Sequence, residues 1–533
     1  MQSLSTSSTG LRLQLLHEAL TAHSGFLTSS IRSQFSLQLH GVLSLHLSGS
    51  SPQQGLAKCR RVREFPQTIV VRAAETIAEQ TEGIAAASNR NEEAGGDDAG
   101  DQEAGVIVVG AGLAGLAAAR HLATAGEPFL LVEASDGVGG RVRTDQFEGF
   151  LLDRGFQIFI TAYPEARRIL DYDALNLQSF YAGALVWFDG RLHRVADPIR
   201  HLADGLLSLI NPIGNAVDKV LVGLVRMRAA ARADEEILSD VETTILQRVR
   251  STGFSEGMVD RFFRPFFGGI FFDNQLQTTS RLFDFVFKCL ALGSNTLPAA
   301  GIGAIPQQIA DKLPKASVLL KSKVAELVFD RDRCPKGVKL EDGRILKCKH
   351  GLILAVEGPE AGRLLGGLLH NVPPSISKPP RSTVCLYFAA DAIPIKEPIL
   401  LLNGSGKGII NNMFFPTTVC KSYSPQGKAL VSVSLVGFYE NKTDDELEDA
   451  ARTELGEWFG KGMVDAWKHL RTYRIKLAQP DQTPPTDLLK DPRILAGIYV
   501  CGDHRDSATF DGALVSGRRA AQALLADVKF AEV

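Results

Sequence analysis

Val106-Ile107-Val108-Val109-Gly110-Ala111-Gly112-Leu113-Ala114-Gly115 decides the fold of this chain. Its first four residues are an unbroken apolar run, the pattern of a parallel strand buried on both faces. Beyond the glycine turn, Leu116-Ala117-Ala118-Ala119-Arg120-His121-Leu122-Ala123 is rich in helix formers and stops near Gly126 and Pro128. A second apolar run, Phe129-Leu130-Leu131-Val132, then delivers Glu133. Strand, glycine turn, helix, strand and acid in this order make a βαβ unit that binds a dinucleotide. Gly110 allows the tight turn, Gly112 lets a pyrophosphate approach the backbone, and Gly115 lets helix and strand pack closely. The helix start at Leu113 and Ala114 offers free N–H groups to the anion. Glu133 can accept hydrogen bonds from a ribose hydroxyl.

Gly137-Val138-Gly139-Gly140-Arg141-Val142-Arg143-Thr144 continues straight from the acidic strand end, and Asp153-Arg154-Gly155 follows. Far downstream, Ile498-Tyr499-Val500-Cys501-Gly502-Asp503 is another apolar strand ending in Gly-Asp, and Gly512-Ala513-Leu514-Val515-Ser516-Gly517 opens an alanine-rich helix. Leu297 to Pro306 and Lys323-Val324-Ala325-Glu326-Leu327-Val328 are two further blocks. Together these segments resemble the flavin amine oxidase superfamily, which also holds carotenoid desaturases, isomerases and protoporphyrinogen oxidase. The likeness covers residues 105–525. It implies an α/β fold: a Rossmann-like FAD-binding domain with a discontinuous α+β substrate domain. It implies FAD as cofactor, with Gly139, Gly140 and the planar fork of Arg141 at the pyrophosphate. By the same likeness, the backbone of Val324 meets the adenine. Gly502 and Asp503 bind the ribityl or phosphate region, and the helix start at Ala513 points toward the isoalloxazine.

The 533 residues are enough for two domains and a sizeable core. A net charge of −2 without a dense basic stripe excludes a nucleic-acid partner. Seven scattered cysteines with no Cys-x-x-Cys pair argue against structural zinc, a redox dithiol or a disulfide framework, so no metal is expected. Residues 1–74 hold thirteen serines and seven Lys/Arg against only Glu18 and Glu64, the balance of an organelle transit peptide. Val71-Arg72-Ala73-Ala74 resembles a stromal processing site, which points to the chloroplast, with thylakoid or plastoglobule association left open. Residues 75–104 carry nine acids against Arg90 and read as a solvated, disordered linker. No uncharged apolar run is long enough for a membrane span.

The expected FAD domain is assembled from 105–165, 296–365 and 475–528, with 166–295 and 366–474 forming the substrate domain. Gly337 to Ile345 alternates around Asp342-Gly343, a hairpin signal, and Leu352 to Val356 reads as the next buried strand. Ten of the chain's 28 phenylalanines fall between Phe254 and Phe287, and they read either as the wall of an apolar pocket or as domain core. Arg261 and Arg264 in that run either clamp a substrate carboxylate or pair with Asp260 or Asp284. Residues 205–232 carry a near-helical apolar stripe, expected to face the core, with a peripheral lipid contact as the alternative.

No pattern of residues assigns a catalytic acid, base or nucleophile. His504 beside Asp503 is expected to be a solvent-facing loop histidine, the alternative being an approach to the flavin or its phosphates. Amine oxidases frame their substrate with an aromatic residue three positions before the glycine matching Gly512; here that position is Thr509. The phenylalanine wall and the plastid address suit a hydrophobic polyene, prenyl or tetrapyrrole-like substrate. The expected activity is therefore desaturase- or isomerase-like, with a flavin amine oxidase and a non-catalytic lipid-associated flavoprotein as alternatives. One glycine turn of this type leaves no second site for a nicotinamide cofactor.

Overall fold

Val106 and Val108 pack into one hydrophobic core while Ile107 and Val109 pack into another, since alternate side chains of a strand point to opposite faces. Both cores need cover, and the strand Gln102–Val109 accordingly lies at the centre of an eight-stranded sheet. The computed structural model describes residues 102–197, 200–201, 211–366, 368 and 378–531. The serine-rich segment 1–74, nearly all of the acidic stretch 75–104 and residues 205–210 of the apolar stripe lie outside them.

On one side the central strand pairs in parallel with Phe129–Val132, which pairs with Val318–Leu319. On the other it pairs with Ile345–Leu354. That ten-residue strand changes partners along its length. Its first half is antiparallel to Pro335–Leu340 across the turn at Gly343, which has φ +91°. Its second half takes Ile498–Val500 as the parallel partner on that edge, with Leu352, Ile353 and Leu354 fully buried, while the central strand runs parallel to it along the other edge throughout. The second arm of the hairpin and the "next" buried strand read from the sequence are thus one continuous strand. Alternation gives way to a solid apolar run where one covered face becomes two.

Helix Leu113–Ala125 closes at Gly126, which takes φ 75° as the left-handed cap. The long C-terminal helix Phe510–Ala531 crosses it so closely that a Cβ on Gly517 would fall 2.0 Å from the Ala114 carbonyl oxygen. A seven-stranded sheet forms the second layer. Its order is Lys468–Gln479, Arg381–Ala390, Ala429–Val436, Asn412–Phe414, Leu400–Asn403, Gly183–Phe188, Arg191–Ala196.

The phenylalanine-rich stretch is mostly core. Phe263, Phe267 and Phe283 are buried, and the rings of Phe267 and Phe283 sit 4.7 Å apart. Arg264 pairs with Asp260, Asp284 is taken by Arg248, and Arg261 lies 4.1 Å from the Phe188 ring centroid. Helix Ala216–Ala231 starts after Pro212 and Gly214 with an Asn215–Asp218 capping box. Of the stripe residues on this helix, Leu221 and Val225 pack on the core, while Val217 (64%), Val220 (52%) and Leu224 (48%) are exposed, so only part of the stripe faces the core as expected.

Candidate functional site

A cavity of about 680 Å³ runs from the glycine turn to the second sheet. Gly110, Gly112, Leu113, Ala114, Glu133, Gly139, Gly140, Arg141, Val324, Gly502, Asp503 and Ala513 all line it. Gly115 does not; it is the packing glycine, where a Cβ would stand 1.8 Å from the Gly110 carbonyl oxygen. Gly110 has φ +100°, a backbone conformation that side chains resist. A Cβ on Gly112 would meet no protein atom within 4 Å and would project into space that a ligand needs. Helix Leu113–Ala125 starts there without a side-chain cap or an acid in its first turn, so its leading N–H groups remain open to an anion. Glu133 braces the turn: Oε2 accepts from the Ala111 N–H at 2.7 Å and Oε1 from the Ser135 N–H at 2.9 Å. Each carboxylate oxygen keeps a second lone pair for a ribose hydroxyl.

Arg141 lines the cavity with its guanidinium paired to a carboxylate. Its guanidinium grips Asp503, with Nη2 donating to Oδ1 at 2.9 Å and Nη1 2.8 Å from Oδ2. Nη1 also donates to the Ala478 carbonyl at 2.9 Å. Burial would raise the Asp503 carboxyl, but Arg141 outweighs it and the net shift is downward. The other lining cations are also ion-paired: Arg154 with Asp145, Lys323 with Glu341 and Arg363 with Glu360. The uncapped start of helix Leu113–Ala125 adds open backbone N–H donors to these paired cations. Arg363 also donates to the carbonyls of Val324 and Ala325, which fixes that end of the cavity.

His504 corrects the expectation of a solvent-facing loop residue: it is 4% exposed. Burial pushes its imidazole down to about 4, against the opposite pull of Asp503, so the ring is neutral at physiological pH. It does not line the main cavity and lies on a small neighbouring one beside Arg141 and Asp503. Thr509, the position held by an aromatic residue in amine oxidases, lines the cavity and caps the C-terminal helix, its Oγ1 accepting from the Gly512 N–H at 3.0 Å.

The far half of the cavity was poorly legible. Of the phenylalanines between 254 and 287, only Phe266 and Phe272 line it. The rest of the wall comes from Phe156, Ile158, Phe180, Leu400, Leu402 and Ile475, among others, on scattered strands and loops. No local pattern marks these residues, because a pocket face on a sheet looks like any core face. Phe156-Gln157-Ile158 stood one step beyond the quoted Asp153-Arg154-Gly155 and could have been found from that motif. Among the described residues, no cluster of His, Cys, Asp or Glu could hold a metal ion.

The description of flavin-containing amine oxidoreductases matches residues 113–525, and the chain belongs to that family. It is an FAD-dependent oxidoreductase with the α/β fold of the flavin amine oxidases. Over 458 residues it is 20% identical to 15-cis-phytoene desaturase, chloroplastic/chromoplastic, from Glycine max, covering 79% of each chain. An oxidoreductase from Methanosarcina mazei superposes with a TM-score of 0.62 at 16% identity, over 80% of this chain and 100% of that one. Putrescine oxidase bound to putrescine superposes with a TM-score of 0.58, also at 16% identity, over 80% and 100% of the two chains.

Proposed function

We propose that the protein oxidises a hydrophobic plastid molecule (a polyene, prenyl or tetrapyrrole-like compound) in the manner of a desaturase or isomerase. One observation carries this reading. The cavity's acids (Glu133, Glu357, Glu360 and Asp503) sit on the dinucleotide segments, while its other half is walled chiefly by aliphatic and aromatic side chains. FAD supplies a hydride acceptor at the flavin N5 when bound. The chain's own work is to hold the dinucleotide, orient a C–H bond and keep water out. The Gly110–Gly115 turn with Leu113 and Ala114, the Gly139-Gly140-Arg141 segment, Val324, Gly502-Asp503 and Ala513 hold the cofactor. Glu133 holds its ribose. Thr509 in place of an aromatic residue weighs against an amine substrate, and the lack of a carboxylate among the described residues of the apolar half does too, since an ammonium group there would lack a counter-charge.

A plastid location is part of this proposal, supported by the N-terminal composition. No helix among the described residues is long and apolar enough to cross a membrane. Exposed Val217, Val220 and Leu224 on one helix support a peripheral contact with a lipid surface instead, which flotation with plastid-lipid liposomes checks.

The deciding experiment is anaerobic. FAD-loaded protein is mixed with plastid lipid extract or with amines, and flavin bleaching is followed while products are weighed by mass spectrometry. Bleaching by the apolar extract with a product two hydrogens lighter supports the reading. Bleaching by amines alone makes the protein an amine oxidase, and bound FAD that nothing reduces favours redox-neutral isomerisation or a non-catalytic role.

A further inference from the structure

Four carboxamides interrupt the apolar half of the cavity: Gln157, Asn295, Asn412 and Gln479. Three of them turn their N–H groups onto the protein. Gln157 Nε2 donates to the Arg141 carbonyl at 2.8 Å and the Arg154 carbonyl at 3.2 Å. Gln479 Nε2 donates to the Ile270 carbonyl at 2.8 Å, and Asn412 Nδ2 to Asn411 Oδ1 at 2.8 Å. The backbone carbonyls fix which way the Gln157 and Gln479 amides point, because a flipped amide would set oxygen against oxygen, while Asn412 points as the Asn411 amide directs it.

The oxygens are the remainder. Asn412 is 2% exposed, and its Oδ1 finds no partner among the described residues; Asn295 Oδ1 is likewise buried and unpartnered. Leaving such an acceptor unmet is costly, so a buried carbonyl of this kind calls for a donor. Asn412 also ends a directed chain, because Asn411 Nδ2 passes the bond on to Asn274 Oδ1 at 3.2 Å. Donating its own N–H makes the Asn412 carbonyl a better acceptor. The chain is tightly housed: a Cβ on Gly269 would fall 2.5 Å from Asn411 Oδ1 and 2.7 Å from Asn412 Nδ2.

We infer that the substrate is not a pure hydrocarbon but an apolar molecule bearing a neutral O–H or N–H donor, which the amide oxygens of Gln157 and Asn412 receive. This rests on the apolar-substrate reading above and narrows it. Acceptors without a nearby carboxylate suit a neutral donor better than an ammonium group, and the paired Arg154 leaves little welcome for an anion.

A matched pair of probes tests it: geranylgeraniol and geranylgeranyl methyl ether, which differ in the donor alone. Each is titrated into FAD-loaded protein in detergent, and binding is followed by perturbation of the flavin spectrum. Wild-type protein should bind the alcohol on the order of tenfold more tightly. Asn412→Leu and Gln157→Leu should each reduce that preference while keeping affinity for the ether, with FAD content and melting temperature as controls for folding. Asn412→Ala, which removes the same acceptor without added bulk, serves as a second variant should Asn412→Leu not hold FAD. Equal affinity of wild type for alcohol and ether overturns the inference and leaves the apolar-substrate reading standing; binding of neither probe overturns both. The flavin N–H groups are the other source of a donor, so the flavin midpoint potential is measured without ligand. A potential that moves in Gln157→Leu while the alcohol preference stays assigns that oxygen to the cofactor and overturns its role toward substrate.

Discussion

Arg141 and Asp503, 362 residues apart in sequence, meet through two prongs of one guanidinium at 2.9 and 2.8 Å. The pair ties the glycine-rich segment after the second strand to the end of the strand Ile498–Val500. It therefore fixes the width of the cavity at its dinucleotide end. Arg141→Ala leaves the Asp503 carboxylate, 10% exposed, without its partner. The expected cost is about 3 kcal/mol, the low end for breaking a buried pair because Arg141 itself is 31% exposed. Thermal melting of wild type and variant measures it. The sign with pH is set by the lowered Asp503 carboxyl: its stabilisation is present above the ordinary carboxylate range and is lost as pH falls through the lowered value.

Gly112 and Gly115 should fail in different ways. A side chain at Gly112 enters open space, so Gly112→Val should fold with a near-normal melting temperature yet purify without FAD. At Gly115 the added Cβ strikes the Gly110 carbonyl, and Gly115→Ala should lose stability as well as cofactor. The flavin-to-protein absorbance ratio, read beside the melting curve, separates the two.

Two neighbouring phenylalanines divide core from pocket. Phe267 is fully buried, and Phe267→Ala should cost about 3–5 kcal/mol of stability. Phe266 lines the cavity and is only partly buried, so Phe266→Ala should cost less and change affinity for an apolar ligand instead. Equal losses of stability with unchanged ligand affinity would count against the pocket wall.

Asp153 and His504 should bend the pH profile of stability in opposite senses. Burial pushes the Asp153 carboxyl up to about 6, against hydrogen bonds from Thr144, the Ile302 N–H and Tyr423. A raised carboxyl stabilises the fold below the ordinary value and loses that contribution as pH rises through about 6. The difference amounts to about 2–3 kcal/mol. The lowered imidazole of His504 stabilises above pH 6.5 and loses its contribution as pH falls through about 4. Denaturant midpoints of Asp153→Asn and His504→Gln across pH 4 to 8 should each remove one limb.

The cofactor half of this protein was legible in its sequence because it is built from short-range rules. A glycine at a left-handed or close-packed position, a helix start and a strand-end acid lie within one continuous βαβ unit, and each follows from backbone geometry over a few residues. Gly110, Gly112, Gly115 and Glu133 could be assigned that way, as could the Asp342-Gly343 hairpin turn. Only the tertiary structure decided the rest. It turned the Arg141 fork onto Asp503, buried His504, and sent most of the phenylalanines into the core. It also built the far wall of the cavity from strands hundreds of residues apart. Sequence pattern reports whether a side chain is apolar and which local period it follows. Whether that side chain meets another core residue or an open cavity depends on which distant element packs against it, and that is settled by the three-dimensional assembly alone.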